Sequence, residues 1–354
     1  MIKTPIHCDI FCTVVDNYGD VGVCWRLARQ LAGEHGWRVR LWIDDMAPLR
    51  QLAPDHAAGP VEVLPWPNPW ATSWPTTDCA DVVIEAFACE LPPVYIGAMA
   101  ARARPPVWLN LEYLSAENWV AGCHGMSSPH PRLPLVKYFF FPGFDEATGG
   151  LLRERDYGAR LKHFDESAFR AEFGLPPRVK DELTISLFSY PNPALPELMR
   201  AWAASSRPIR VLRPGSSEAT PMTENRSGQL TVHPLPFLPQ PRYDDLLWAC
   251  DLNFVRGEDS FVRAQWAGKP FVWHIYPQAD DAHRAKLDAF LAIHPAGPRL
   301  RTFWHSWNGE GTLDWPDFAA SLPGLEAPMQ QWARTLAARP DLARSLVKFC
   351  LERV

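Results

Sequence analysis

Two short runs in this chain concentrate side chains that bind anions, hold cations and move protons. The first is Asp16-Asn17-Tyr18-Gly19-Asp20, which follows an apolar run ending at Val15 and precedes an amphipathic pattern carrying Val23, Leu27 and Leu31. Paired carboxylates at a strand-to-helix turn can clamp a cationic acceptor or take a proton from it. Asp20 is also placed to cap the helix, a structural use worth about 0.5–2 kcal/mol, and a helix N-terminus favours negative charge. The Gly19 to Gly22 turn lacks both the G-K-[ST] of a Walker loop and the G-x-G-x-x-G of a dinucleotide loop, so as a phosphate cradle it is weak.

The second run is Arg256-Gly257-Glu258-Asp259-Ser260. Gly257 permits a tight turn. Asp259 or Ser260 can cap the helix that follows, and its first amides can bind a diphosphate. Arg256 adds charge-assisted bonds to phosphate oxygens, while Glu258 or Asp259 can accept from sugar or ribose hydroxyls. A capped helix with one ion pair needs fewer of these groups. Aromatic residues recur at neighbouring strand ends: Phe188-Ser189-Tyr190, and Pro236-Phe237-Leu238-Pro239-Gln240. Each taken alone reads as core; together they resemble a pocket that stacks a base and reads its polar edge. His124 and His130 lack zinc-ligand spacing, and no D-x-D stands at a strand end, so no metal is expected. Glu85, Glu90 and Glu112 lie near strand ends, where a carboxylate can line a cleft or simply face solvent.

These runs need strands and helices to hold them. Asp9–Val15, Arg38–Ile43, Val61–Leu64, Asp81–Glu85 and Val107–Leu111 read as strands, with helices at Val21–Glu34 and Met46–Leu52. Residues 122–178 break the pattern. A second series follows, with strands at Thr184–Phe188, Ile209–Leu212, Leu230–His233, Asp251–Phe254 and Pro270–His274. Its helices fall at Ala194–Ala204, Tyr243–Cys250, Ser260–Ala267, Ala282–Leu291 and Gly324–Val354. Strands alternating with helices imply parallel sheets covered on both faces, with ligands at the carboxyl ends of the strands. The expected class is α/β, with two domains and an active site in the cleft between them.

The bulk numbers agree. A chain of 354 residues exceeds one ordinary core. Its 47% hydrophobic and 21% charged residues argue against disorder. A net charge of −5 gives no sign of direct nucleic-acid binding. No apolar stretch approaches a membrane span, and the N-terminus lacks the apolar core of a signal peptide. The cysteines are scattered without a C-x-x-C pair and read as reduced core thiols of a cytoplasmic protein.

The stretch Val14-Val15-Asp16-Asn17-Tyr18-Gly19-Asp20-Val21-Gly22-Val23-Cys24-Trp25-Arg26 resembles the bacterial EarP family, the arginine rhamnosyltransferases of elongation factor P. So does the longer stretch from Arg256-Gly257-Glu258-Asp259-Ser260 through Phe261-Val262-Arg263-Ala264-Gln265-Trp266-Ala267-Gly268-Lys269-Pro270. The resemblance implies a GT-B architecture, two Rossmann-like domains facing across a cleft. Residues 1–175 would form the acceptor side, 176–335 the nucleotide-sugar side, and the C-terminal helix 336–354 would pack back on the first domain. It implies dTDP-β-L-rhamnose as donor, with no metal cofactor, and elongation factor P as protein acceptor. The product would be an inverted N-glycosidic linkage on arginine, and the modified factor relieves stalling at polyproline. Asp20 and Asp16 would be the catalytic carboxylates, Asp20 the general base, with Glu258 an essential neighbour. Donor contacts would come from Tyr18, Gly19, Phe188, Tyr190, Phe237, Gln240, Arg256, Gly257, Asp259 and Ser260. The run Phe188-Ser189-Tyr190-Pro191-Asn192 departs from the family around its Phe-x-Tyr, which bears on Tyr190. Two other readings fit the residues: a GT-B enzyme using a UDP-sugar on a small molecule or glycan, and a non-catalytic binder of elongation factor P.

Overall fold

A computed structural model describes residues 5–16, 18–67, 70–215, 224–278, 280–295 and 297–354. The chain divides into two units. The first comprises 1–155 with 339–354, and the second comprises 156–338.

In the first unit the strands are β1 (His7–Cys12), β2 (Arg38–Ile43), β3 (Val61–Pro65), β4 (Val82–Ala86), β5 (Val107–Leu111), β6 (Ser127–Pro129) and β7 (Val136–Phe140). They form one sheet in the order β3-β2-β1-β4-β5-β7-β6, parallel except for the edge strand β6. The apolar runs predicted this, since a parallel strand is covered on both faces. Phe11 and Trp42 stack at 6.0 Å within a core that includes Val83, Tyr95, Met99 and Trp108. The wholly buried Asp9 sits in this core. It accepts from Arg40 Nε and Nη2, each at 2.6 Å, and from the Tyr95 hydroxyl. A bidentate guanidinium and a phenol satisfy the carboxylate, as burial of a charge requires.

The second unit contains β8 (Leu183–Leu187), β9 (Ile209–Pro214), β10 (Asn225–Ser227), β11 (Leu230–Leu235), β12 (Leu252–Arg256) and β13 (Phe271–His274). Their order is β10-β11-β9-β8-β12-β13, with only β10 antiparallel among the described strands. Both sheets therefore contain the same doubly wound core, three strands laid in one direction and two in the other. The order reverses between β1 and β4 in one sheet and between β8 and β12 in the other. Crevices at such switch points are where open α/β sheets bind ligands.

Several boundaries differ from the sequence reading. β1 ends at Cys12 instead of Val15, and the helix that follows spans Tyr18–His35, starting before the predicted Val21. The irregular stretch 122–178 holds β6, β7 and the helices Tyr157–His163 and Glu166–Glu172. The first unit ends at Arg155, ahead of the boundary expected at 175, because these two helices pack on the second sheet's elements. Trp248 Nε1 donates to the Tyr157 hydroxyl at 2.8 Å, and Arg160 pairs with the buried Asp244 at 2.6 Å. The expected helix Gly324–Val354 is two helices, Glu326–Ala337 and Leu342–Leu351, assigned to different units. Pro340 removes an amide donor and pushes its predecessor out of the helical region. Asp341 then caps the second helix by accepting from Arg344 N at 3.0 Å. The helices Pro93–Ala100, Pro298–Trp307 and Trp315–Ser321 were absent from the sequence reading. Each carries its proline in the first turn, where the missing N–H has no helical partner to lose.

The second core sets an acid limit on stability. His294 is 2% exposed, neither of its ring nitrogens has a hydrogen-bond partner, and Phe271, Phe290, Trp304 and Trp332 surround it. Burial pushes its pKa down to about 3, with a smaller contribution from Arg301. The folded state holds the ring neutral, while the unfolded chain protonates it below about 6.5. Its contribution is therefore complete above pH 6.5 and is lost as pH falls toward 3, at up to about 1.4 kcal/mol per pH unit. Thermal unfolding at pH 7 and pH 4.5 should show His294→Phe losing less melting temperature on acidification than the native chain.

Candidate active site

The two predicted runs fall at the two switch points, one in each unit. In the first unit, Asp16, Tyr18, Gly19 and Asp20 leave the carboxyl end of β1. Asp20 does not cap the helix as expected. It sits inside the first turn, 2% exposed. Its Oδ2 accepts from the backbone N–H groups of Val15 and Asp16, both at 2.8 Å. Its Oδ1 accepts from the Tyr113 hydroxyl at 3.2 Å. A buried carboxyl group with these donors is fixed in place and ties the loop to the helix. Asp16 is only half-buried, and its carboxylate folds over Gly19. The Tyr18 hydroxyl donates to Gln51 in the same unit.

Gly19 is required by that close approach. A Cβ there would lie 2.6 Å from Asp16 Oδ2. The obstructing atom is the end of a short side chain, so the fold can yield while the carboxylate moves. Gly19→Ala should hold its melting temperature within about 4 °C, yet lose about 10²-fold in catalytic rate if Asp16 must be placed within an ångström. Steady-state rates beside a thermal melt separate the two effects.

In the second unit the parallel strands deliver Phe188, Phe237, Arg256 and His274 to the same edge of the sheet. Arg256 ends β12, and its guanidinium carbon lies 4.3 Å from the Phe188 ring centre and 4.7 Å from that of Tyr190. This cation–π arrangement holds the cation between two rings that follow β8. Gly257 takes a φ of +60°, as a tight turn with left-handed backbone requires. Trp273 Nε1 donates to its carbonyl at 2.8 Å.

The helix Asp259–Ala267 then begins, with Glu258 in the cap position. The structure gives the polar residues of this run different work from simple capping. The Glu258 side chain makes no cap bond. Ser260 Oγ accepts from Arg256 N at 3.0 Å and donates to the Arg256 carbonyl, closing the turn on itself. Asp259 accepts from Gln240 Nε2 at 2.8 Å and from Arg263 Nε at 3.2 Å. Arg263 continues to Asp244, and Asp244 to Arg160. Gln240 opens the helix Gln240–Ala249, so this network fastens two helix starts beside Arg256. Phe237 lies just before that helix and is half-buried.

The other candidates separate clearly. Glu85 is buried and paired with Lys137 Nζ at 2.9 Å and Trp108 Nε1 at 3.1 Å. Glu112 accepts from Asn110. His124 Nδ1 faces the Phe141 amide, and His130 Nδ1 accepts from Arg132 and Leu133 amides. Among the described residues no group of three or more His, Cys, Asp or Glu is placed to hold a metal. The cysteines are free thiols, Cys89 and Cys123 half-buried and the others buried. No described helix is long and apolar enough to cross a membrane.

A family profile described as "Elongation-Factor P (EF-P) rhamnosyltransferase EarP" matches residues 8–351. The chain belongs to the EarP family. A protein-arginine rhamnosyltransferase of Pseudomonas aeruginosa is 47% identical over 96% of this chain and 98% of its own length. The Neisseria meningitidis serogroup B enzyme of the same name is 40% identical over 99% and 98%. A solved structure described as the structural basis for EarP-mediated arginine glycosylation of translation elongation factor EF-P superposes with a TM-score of 0.68 at 34% identity. It covers 99% of this chain and 100% of its own. The chain is thus a glycosyltransferase of the protein-arginine rhamnosyltransferase family, with the GT-B fold.

Against this EarP background, some neighbours of the site were missed in the sequence. Tyr113 reaches Asp20 from the segment after β5, and Phe87 stacks on Tyr113. His274 ends β13 directly opposite Arg256 in the parallel register and lies edge-on to Tyr190 at 5.3 Å. Burial and the Arg256 charge push its pKa down to about 4, so it is a neutral ring at neutral pH. The signal for each was its place at or just after the carboxyl end of a strand.

Proposed function

We propose that this chain transfers L-rhamnose from dTDP-β-L-rhamnose to an arginine of translation elongation factor P, with inversion at the anomeric carbon, and so relieves ribosome stalling at polyproline. The observation that carries the donor side is Arg256, a cation held between Phe188 and Tyr190 at the switch point of the second unit. Phe188, Tyr190 and Phe237 offer faces and edges for the thymine. Gln240, Asp259 and Ser260 brace the turn, and the first amides of Asp259–Ala267 face the diphosphate. Tyr18 and Gly19 are assigned a supporting donor role, and Glu258 an essential one beside the reacting sugar.

A guanidinium is a poor nucleophile because its lone pair is delocalised and it stays protonated. Asp16 and Asp20 answer both difficulties. A paired carboxylate orients the guanidinium, and Asp20 takes one proton as the N–C bond forms. The anomeric C–O bond breaks on the opposite face, and its electron pair leaves with dTDP. Arg256 and the helix amides neutralise that developing charge, so the reading assigns no metal. An acceptor in the translation machinery and free thiols both suit a cytoplasmic enzyme.

The test is the intact mass of elongation factor P after incubation with the enzyme and dTDP-rhamnose. One deoxyhexose should be added, and none to a factor whose acceptor arginine is lysine. An unchanged mass would sink the reading. A larger thermal shift with UDP than with dTDP would instead favour a UDP-sugar enzyme.

A further inference from the structure

The carboxyl end of β4, beside the Asp16–Asp20 turn across the switch point, carries a feature that transfer to arginine has not yet used. Phe87, Ala88 and Glu90 have φ of 56°, 54° and 54°. Left-handed backbone is uncommon for residues with side chains, and runs of it mark places where the surroundings impose a shape. The surroundings here are specific. Phe87 N donates to the Leu111 carbonyl at 2.7 Å and Ala88 N to the buried Asn110 Oδ1 at 3.1 Å. Glu90 N reaches the buried Glu85 at 3.3 Å, and Cys89 Sγ donates to the Phe11 carbonyl at 3.3 Å. The loop is thus fastened to β1, β4 and β5 together.

The shape that results presents one ring. Phe87 stacks on Tyr113 at 4.3 Å with 14° between their planes, and both rings are half-buried. The Tyr113 hydroxyl is the donor to Asp20 Oδ1. A flat, partly exposed aromatic pair joined to a fixed carboxylate matches a guanidinium. That group is planar, stacks on aromatic faces and pairs in its plane with carboxylate.

We infer that the Phe87–Tyr113 stack is the platform on which the acceptor arginine lies, with Tyr113 also positioning Asp20. This rests on the assignment of Asp16 and Asp20 to the acceptor. The platform holds the guanidinium plane while the carboxylates fix its edge, so Phe87 acts in acceptor binding and the Tyr113 hydroxyl in the rate of transfer.

The experiment varies both substrates for the full-length enzyme and its Phe87→Leu, Phe87→Trp, Tyr113→Phe and Asp20→Asn variants. Phe87→Leu should raise the acceptor KM about tenfold, the loss expected for a partly desolvated cation–π contact. It should leave the donor KM and the melting temperature unchanged. Phe87→Trp, which keeps an aromatic face, should stay near wild type. Tyr113→Phe should lower kcat severalfold with little change in either KM. If Phe87→Leu does not fold, Tyr113→Leu removes the other ring of the stack and should raise the acceptor KM alike. An unchanged acceptor KM, an equal rise in the donor KM, or Phe87→Trp failing as badly as Phe87→Leu would overturn the platform while leaving the carboxylate assignment intact. An active Asp20→Asn would overturn that assignment and the platform with it.

Discussion

Replacing Asp20 by Asn should leave a folded protein that binds dTDP normally and transfers rhamnose about 10²- to 10⁴-fold more slowly, the usual worth of a placed general base. The geometry makes this substitution a clean one. The Asn oxygen can still accept from the Val15 and Asp16 amides that Asp20 Oδ2 now holds at 2.8 Å. Its NH₂ group can donate to the Tyr113 oxygen, reversing the 3.2 Å bond. The hydrogen-bond count and the volume are retained. What disappears is the negative charge and the capacity to take a proton. Calorimetry with dTDP should give an affinity close to wild type, since the donor grip is assigned to the other unit. A transfer rate within a few-fold of wild type would remove Asp20 from the chemistry. A large fall in melting temperature would instead make it a structural tie.

Arg256→Ala should act on the donor. Losing one charge-assisted contact to phosphate costs about 1.5–3 kcal/mol, so calorimetry should show dTDP bound roughly tenfold to a hundredfold more weakly. The substitution also leaves the Phe188 and Tyr190 rings without the cation that now lies 4.3 and 4.7 Å from their centres. Arg256→Lys should rescue only part of the affinity. An ammonium supplies charge, but it lacks the planar fork and the flat face that stacks on a ring. Thymidine, which has no phosphate, should bind both variants with smaller losses than dTDP. Unchanged dTDP affinity in Arg256→Ala would place the diphosphate elsewhere.

Much of the fold was legible because parallel strands are simple to read. β2 and β5 match their predicted spans residue for residue, and every residue in them except Arg38 is buried. Misreadings arose where one residue type serves two purposes. Pro93, Pro298 and Pro316 stand in helices absent from the sequence reading, and a proline in the first turn starts a helix as readily as a proline further on stops one. Pro340 was read through, although there it does separate two helices. Residues 122–178 were read as breaking the pattern, yet Val136–Phe140 within them is a strand of the sheet.

The site divides along a similar line. The residue types at Asp16 to Asp20 and at Arg256 to Ser260 marked, from sequence alone, one turn with the chemistry to meet a cation and one with the chemistry to meet an anion. That follows from charge, from glycine's freedom and from the amides exposed where helices start. The tight turn at Gly257 was readable from glycine's freedom, and its backbone there is left-handed. Only the tertiary structure decided how each side chain is used. Asp20 accepts from the loop ahead of it instead of capping its helix, and Ser260 closes back on Arg256. Asp259 is taken up by Gln240 and Arg263. Tyr113 comes to the first turn from the segment after β5, with Phe87 from the segment after β4 stacked on it. Residue type and spacing along a helix set what a local segment can do. Which strand ends lie together is set by the crossovers of a parallel sheet, and that order is carried by no single segment.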